Sequence, residues 1–304
     1  MARLIEIVEK DAVGEKMPTR SFRLKHDLAS HPLFQLDRLA KLAGDLPTDQ
    51  VEWNGPVSPN QDPNLTPSNG MSAEETVRRI EEAKSWMVLK AVEADPEYQA
   101  LLDACLDEIE EQTGGVMGGR KRRTAFIFVT SPGNVMPMHT DPEYNFLLQV
   151  RGSKRMSIWD QKDRAVVPAE EMEMYPGKHR NLPYKDEYEA RALHQHLEPG
   201  DSIFVPLMAP HWVKNGEEVS VSFSITWMTE EAEKFVNLQY MNAVLRKLGL
   251  PQSEPGEHKL WDGVKVAAYR VLRPLYDGIK KLVGDRDKAV AMVFGKSRNE
   301  VKPV

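Results

Sequence analysis

Hydrophobic and polar residues change their spacing twice along this chain. In the first third the apolar residues recur at helical intervals. Pro32-Leu33-Phe34-Gln35-Leu36-Asp37-Arg38-Leu39-Ala40-Lys41-Leu42-Ala43 predicts an amphipathic helix. Residues 52–72 hold Pro56, Pro59, Pro63, Pro67, Gly55 and Gly70 among few apolar residues and predict a long loop. Ser72-Ala73-Glu74-Glu75 has the form of a capping box. The helix it opens is predicted through Val77, Ile80, Ala83, Trp86 and Val88 towards Ala94, with a break at Asp95-Pro96. A second helix is expected from about Pro96 to Glu111, ending before Gly114-Gly115.

From Thr124 to Trp227 the spacing shortens to that of strands. Thr124–Val129, Phe146–Val150, Arg155–Trp159, Ser202–Val205 and Val219–Trp227 are short apolar or alternating runs with turn residues between them. The last run sends Val219, Val221, Phe223 and Ile225 to one face and Ser220, Ser222, Ser224 and Thr226 to the other. That hydroxyl face suits either a polar cavity or solvent. The block predicts a barrel or jelly roll. Beyond Glu230 helical spacing returns, over Glu231–Leu248 and Val264–Val283. Met241, Tyr240, Tyr269 and Tyr276 there read as core or interface. The pattern thus divides the chain into an N-terminal helical and loop region (1–120), a β core (121–230) and a C-terminal helical region (231–304).

Composition narrows the class. The 304 residues are 41% apolar and 28% charged, as in folded globular proteins. A net charge of −6 argues against a dedicated nucleic-acid binder, and Arg120-Lys121-Arg122-Arg123 reads as a solvated turn. The one cysteine, Cys105, excludes an intramolecular disulfide and sits in a helical apolar pattern. Met1-Ala2-Arg3-Leu4-Ile5-Glu6 lacks a signal-like apolar run, and no 18-residue apolar stretch occurs. The expectation is a protein of the reducing cytoplasm, without a membrane span.

His139-Thr140-Asp141 carries the chemistry. One residue separates the imidazole from the carboxylate, so on a strand both face the same way. His211 follows 72 residues later, after the turn and short apolar strand Gly200-Asp201-Ser202-Ile203-Phe204-Val205-Pro206. Two imidazoles and one carboxylate are the ligand set of non-haem Fe(II) oxygenases, leaving positions open for a co-substrate and O2. His194-Gln195-His196 also sets two imidazoles on one strand face but has no acidic residue in phase, and reads as a structural or rim pair. His26, His31, His179 and His258 carry no constellation.

His139-Thr140-Asp141-Pro142-Glu143-Tyr144-Asn145-Phe146-Leu147-Leu148-Gln149-Val150-Arg151-Gly152-Ser153-Lys154-Arg155 resembles the cupin-type JmjC oxygenases, which use Fe(II) and 2-oxoglutarate. It is similar in particular to the iron-binding strand pair of the asparaginyl hydroxylase acting on hypoxia-inducible factor. The resemblance implies a mainly β fold, a double-stranded β-helix (cupin or jelly-roll) core with N- and C-terminal helices. It implies His139, Asp141 and His211 as catalytic iron ligands. It implies Lys154 on the far carboxylate of 2-oxoglutarate, with Asn145 and Ser224 near the co-substrate.

Independent physics supports Lys154. It follows a Gly-Ser turn and opens an apolar strand, where an ammonium is costly without an anionic partner. The alternative is a hairpin lysine reaching water. Three positions depart from the pattern: Met136 stands where the relative has a threonine that helps hold the far carboxylate, Ser224 where it has an asparagine, and Met208 where a glycine is usual.

On this reading, decarboxylation of 2-oxoglutarate to succinate drives hydroxylation of a C–H bond in a protein, peptide or small molecule. On an N-methyl group the same chemistry demethylates. With one cysteine there is no zinc-finger spacing, which disfavours a chromatin reader. Substrate contacts are expected from the 52–72 loop and the N-terminal helices. The C-terminal helices suit either covering the core or forming a homodimer. The rival readings are a non-catalytic metal-binding cupin acting as sensor or binding protein, and a metal enzyme on the same core that needs no keto acid. Lys154 discriminates, because neither rival has a reason to bury a cation.

Overall fold

The computed structural model describes residues 3–9, 11–55, 68–119, 121–173 and 181–283. The chain divides into two compact units, residues 1–161 with 181–229 and residues 162–180 with 230–304.

In the first unit the described residues form twelve strands: β1 (Ile5–Ile7), β2 (Arg23–His26), β3 (Val51–Asn54), β4 (Trp86–Lys90), β5 (Lys121–Thr130), β6 (Val135–His139), β7 (Tyr144–Arg151), β8 (Lys154–Ile158), β9 (Leu193–Leu197), β10 (Asp201–Val205), β11 (His211–Asn215) and β12 (Ser220–Met228). They build an eight-stranded sheet, β1-β2-β10-β7-β12-β5-β4-β3, and a four-stranded sheet, β6-β11-β8-β9. From β5 onward the chain passes repeatedly from one sheet to the other. That alternation is the double-stranded β-helix connectivity. The core is mainly antiparallel β with flanking helices, as the resemblance implied, but it is not a barrel. Among the described residues no strand of the small sheet pairs with a strand of the large one, so the sheets face each other without closing.

Strand alternation decides what lies between the sheets. Leu147, Ile203 and Val205 of the large sheet meet Met156, Ile158, Leu197 and Val213 of the small one. The opposite face of the large sheet carries Phe146, Phe204 and Phe223, all fully buried, each worth about 1.5–3 kcal/mol of burial. Phe34 packs on Phe223 and on Tyr98 of α4, with ring centroids 5.2 and 6.3 Å apart. The first unit's helices are α1 (Ala12–Glu15), α2 (Leu36–Asp45), α3 (Ala73–Arg78) and α4 (Pro96–Thr113).

The hydroxyl face of β12 turns inward. Ser222 pairs in register with Phe128 and Ser224 with Leu147, and both of those partners line the space between the sheets.

The helix expected through Trp86 stops much earlier. Ser72 caps α3 through Glu75 N, as the capping box requires, but α3 ends at Arg78. Lys84 then takes a left-handed φ of 47°, and Trp86-Met87-Val88-Leu89 pairs with β5 as strand β4. A four-residue apolar run fits either a helix or a buried strand. The long-range pairing with Ile127–Thr130 decides it. Of the 52–72 loop, residues 56–67 lie outside the described residues.

In the second unit, α5 (Ala169–Met172) precedes the two long helices α6 (Glu230–Lys247) and α7 (Lys259–Val283). Met241, Val244, Tyr269 and Tyr276 form the core between them, and Tyr240 stacks on Tyr269 at 5.1 Å. Among the described residues no helix is long and apolar enough to cross a membrane.

Candidate active site

The small sheet sets two imidazoles side by side. His139 ends β6 and His211 begins β11, and the two are direct antiparallel neighbours in register. Their ring centroids are 4.2 Å apart. The expectation that His139 and Asp141 share a strand face needs adjustment, because β6 stops at His139. Asp141 reaches back from the following loop. Pro142 has no N–H to extend a ladder and biases the residue before it. The loop is fixed from the other side by Met208 N, which donates to Asp141 O at 2.9 Å. Met208 is fully buried with φ 57°, a left-handed conformation held at the position where the family pattern has glycine.

Asp141 Oδ2 lies 3.6 Å from His139 Nε2 and 3.7 Å from His211 Nε2. The three ligand atoms fall within 4.8 Å of one another. Each Nδ1 sits against a backbone carbonyl two residues upstream, 2.8 Å to Pro137 O and 2.9 Å to Ala209 O. An N–H donated there leaves the Nε2 lone pair facing Asp141. This is the usual way a protein fixes the tautomer of a metal-binding histidine. Two neutral imidazoles and one carboxylate on one side of a point fit a divalent transition metal with further positions open. Among the described residues this is the one cluster with that geometry.

The site opens into a cavity between the sheets, walled by Phe128, Leu147, Met156 and Val213 and floored by polar side chains that include Asn145 and Asn215. Lys154 lies within it. Gly152 makes the tight turn before β8 at φ 64°, and a Cβ there would meet Val219 O at 2.5 Å. The turn thus demands glycine and starts β8 with the lysine pointing inward. Lys154 is 5% exposed, and among the described residues nothing forms an ion pair with it. Burial pushes its ammonium down to about 7. The side chain does not reach solvent, so the hairpin alternative falls.

Asn145 also lines the cavity, and its Oδ1 accepts from Ser224 Oγ at 2.8 Å. Ser224 is therefore placed behind Asn145 and orients it. Sequence reasoning missed Trp86 and Thr130, which line the same cavity from β4 and β5. No local signal marks either residue, because register across the large sheet brings them there. His194 and His196 lie on the outer side of the small sheet. His194 Nδ1 is 3.2 Å from Ser157 Oγ, and His196 meets Glu198 at 2.6 Å.

The family model for the cupin-like domain matches residues 57–233. The chain belongs to the cupin-like domain family. The proteins it is similar to in sequence include JmjC proteins, in line with the resemblance carried by residues 139–155. It is 31% identical over 102 residues to lysine-specific demethylase 8 of Danio rerio, covering 31% of this chain and 25% of that protein. It is 31% identical over 109 residues to Jumonji C domain-containing protein 5 of Drosophila melanogaster, with the same coverage. The chain thus spans about a quarter of the length of these relatives. Among solved structures it is similar to the Escherichia coli ribosomal oxygenase YcfD, at a TM-score of 0.46 and 16% identity, over 99% of this chain and 74% of that one. A YcfD structure in complex with cobalt and 2-oxoglutarate is similar at a TM-score of 0.47 and 15% identity, over 98% and 74%.

Proposed function

We propose that this cupin-like protein is an Fe(II)- and 2-oxoglutarate-dependent oxygenase that hydroxylates a C–H bond of a protein, peptide or small-molecule substrate. One observation carries the reading. The His139–Asp141–His211 cluster and a buried cation without an anionic partner, Lys154, share one cavity. A metal-binding cupin without a keto acid has no use for that lysine, whose burial is costly unless an anion compensates it.

The spacing supports a short dicarboxylate. His211 and Asn215 stand at opposite ends of β11, and Lys154 pairs with Asn215. Four residues of strand separate the two rows by about 13 Å. Lysine and metal–ligand bonds take up part of that distance, leaving room for a chain of a few carbons.

Iron, when bound, supplies activation of O2 coupled to decarboxylation of the keto acid. The chain's own residues do the rest. His139, Asp141 and His211 hold the metal on one side, with each histidine Nδ1 proton kept on a backbone carbonyl. Lys154 binds the far carboxylate of the co-substrate. Ser224 holds Asn145 toward the cavity. The apolar walls, Phe128, Leu147, Met156 and Val213, exclude water from the reacting region.

The test is succinate formation by purified protein with Fe(II), 2-oxoglutarate and O2, beside His139→Ala and Lys154→Ala. Succinate from the wild type alone supports the oxygenase. Metal retention with no 2-oxoglutarate binding under anaerobic conditions would instead make it a metal-binding cupin.

A further inference from the structure

The cavity holds a second donor without an acceptor. Trp86 heads β4 and lines the cavity, and its indole Nε1 is buried with no hydrogen-bond partner among the described residues. Buried N–H groups are rarely left unpaired, and an orphan of this kind asks for an explanation. Trp227 Nε1 is also without a partner, but that ring stacks with Phe146 on the opposite face of the large sheet, away from the cavity.

Register connects Trp86 to the buried lysine. Trp86 is the cross-strand partner of Thr130. Thr130 Oγ1 accepts a hydrogen bond from Asn215 Nδ2, and Asn215 is the cross-strand partner of Lys154. Since Asn215 occupies the acceptor side of the Thr130 hydroxyl, its proton is left to donate. Ser220 O, at 3.5 Å, is at the limit of a hydrogen bond. An indole N–H and an ammonium, two donors without an acceptor among the described residues, thus line one end of the cavity beside a hydroxyl whose own acceptor is held only at that limit. A carboxylate offers two oxygens with about four lone-pair sites and no proton. Met136, the position from which a threonine would be expected to help, has a thioether and can donate nothing.

We propose that the indole N–H of Trp86, assisted by the Thr130 hydroxyl, grips the far carboxylate of the co-substrate together with Lys154. The carboxylate is then held from both sheets, by the lysine on the small one and by the tryptophan and threonine on the large one. This inference rests on the oxygenase reading above.

The test uses full-length protein loaded with Zn(II), which is diamagnetic and redox-inert, and labelled with 15N-tryptophan. Of the six indole signals, one per tryptophan, the Trp86 signal is the one that Trp86→Phe removes. It should move downfield on addition of 2-oxoglutarate and stay in place with 2-oxopentanoate, which has the same chain without the far carboxylate. In calorimetry, Trp86→Phe should weaken 2-oxoglutarate about tenfold or more, as for a lost hydrogen bond to a charged group, and leave 2-oxopentanoate unchanged within about twofold. Thr130→Val should show the same selectivity. The inference is overturned if Trp86→Phe binds 2-oxoglutarate like wild type, if both acids weaken equally, or if the wild-type indole signal does not respond. The failure of the oxygenase reading is separate: wild type would then bind neither acid.

Discussion

Lys154→Met should make the ligand-free protein more stable while destroying co-substrate binding. The ammonium drops from an ordinary value of 10.5 to about 7 because burial removes it from water and nothing anionic replaces the water. The folded state therefore binds fewer protons than the unfolded chain between pH 7 and 10.5. Stability should rise with pH across that window and lose this contribution as pH falls towards 7. At 1.36 kcal/mol per pH unit, the lysine costs the fold roughly 4 kcal/mol at pH 7 and roughly 2 kcal/mol at pH 9. Methionine has similar length and no charge. The variant should gain about 2–4 kcal/mol at pH 7, after allowing for relaxation around the cation, or a melting point higher by about 4–10 °C.

The assay is thermal or urea unfolding of both proteins at pH 7 and pH 9, with and without metal and 2-oxoglutarate. The gap between them should shrink by roughly 2 kcal/mol at the higher pH. Wild type should be stabilised by 2-oxoglutarate and the variant should not. Because bound ligand fixes the proton on the lysine, wild-type affinity should fall up to about tenfold per pH unit above 7. A variant less stable than wild type by the same margin at both pH values would refute the reasoning, because the lysine would then be stabilising the fold as a paired or solvated group.

Four further outcomes follow. Asp141→Ala should lose the stabilisation that Co(II) or Mn(II) gives wild type, expected near 2.7 kcal/mol at a hundredfold excess over Kd, as read by melting. Gly152→Ala should destabilise by at least about 2 kcal/mol, since the new Cβ has no room against the Val219 carbonyl and φ is left-handed; chemical denaturation measures it. Ser224→Ala should cost about 1 kcal/mol of stability, and by freeing the Asn145 amide it should raise the KM for 2-oxoglutarate more than it lowers kcat. Met208→Gly should relieve roughly 1 kcal/mol of left-handed strain yet lose more from the vacated core, leaving net destabilisation of about 1–3 kcal/mol by denaturation.

The strands legible in the sequence were those whose own residues decide the matter. Val219–Trp227 alternates so cleanly that its two faces could be assigned before any partner was known. Ser224 and Asn145 could be named but not ranked, because only the fold shows that one bonds the other. Trp86 went the other way. Its neighbours Val77, Ile80 and Ala83 are spaced for a helix, and only pairing with Thr130, 44 residues away, makes it a strand residue beside the cavity. Asp141 was found for a partly mistaken reason: the strand that should have aimed it ends two residues earlier, and a backbone bond from Met208 holds its loop.

The unequal division of labour between the sheets has a mechanical consequence. The histidine ligands and Lys154 are mounted on the four-stranded sheet, and Asn145 on the eight-stranded one. A change in sheet separation would leave the metal cradle and the lysine at their fixed spacing and lengthen only the contacts that Asn145, Trp86 and Thr130 make from the other side. Trimming the hydrophobic spacers Leu147 or Ile203 should thus act as a tuning screw on keto-acid affinity, detuning it without altering metal affinity.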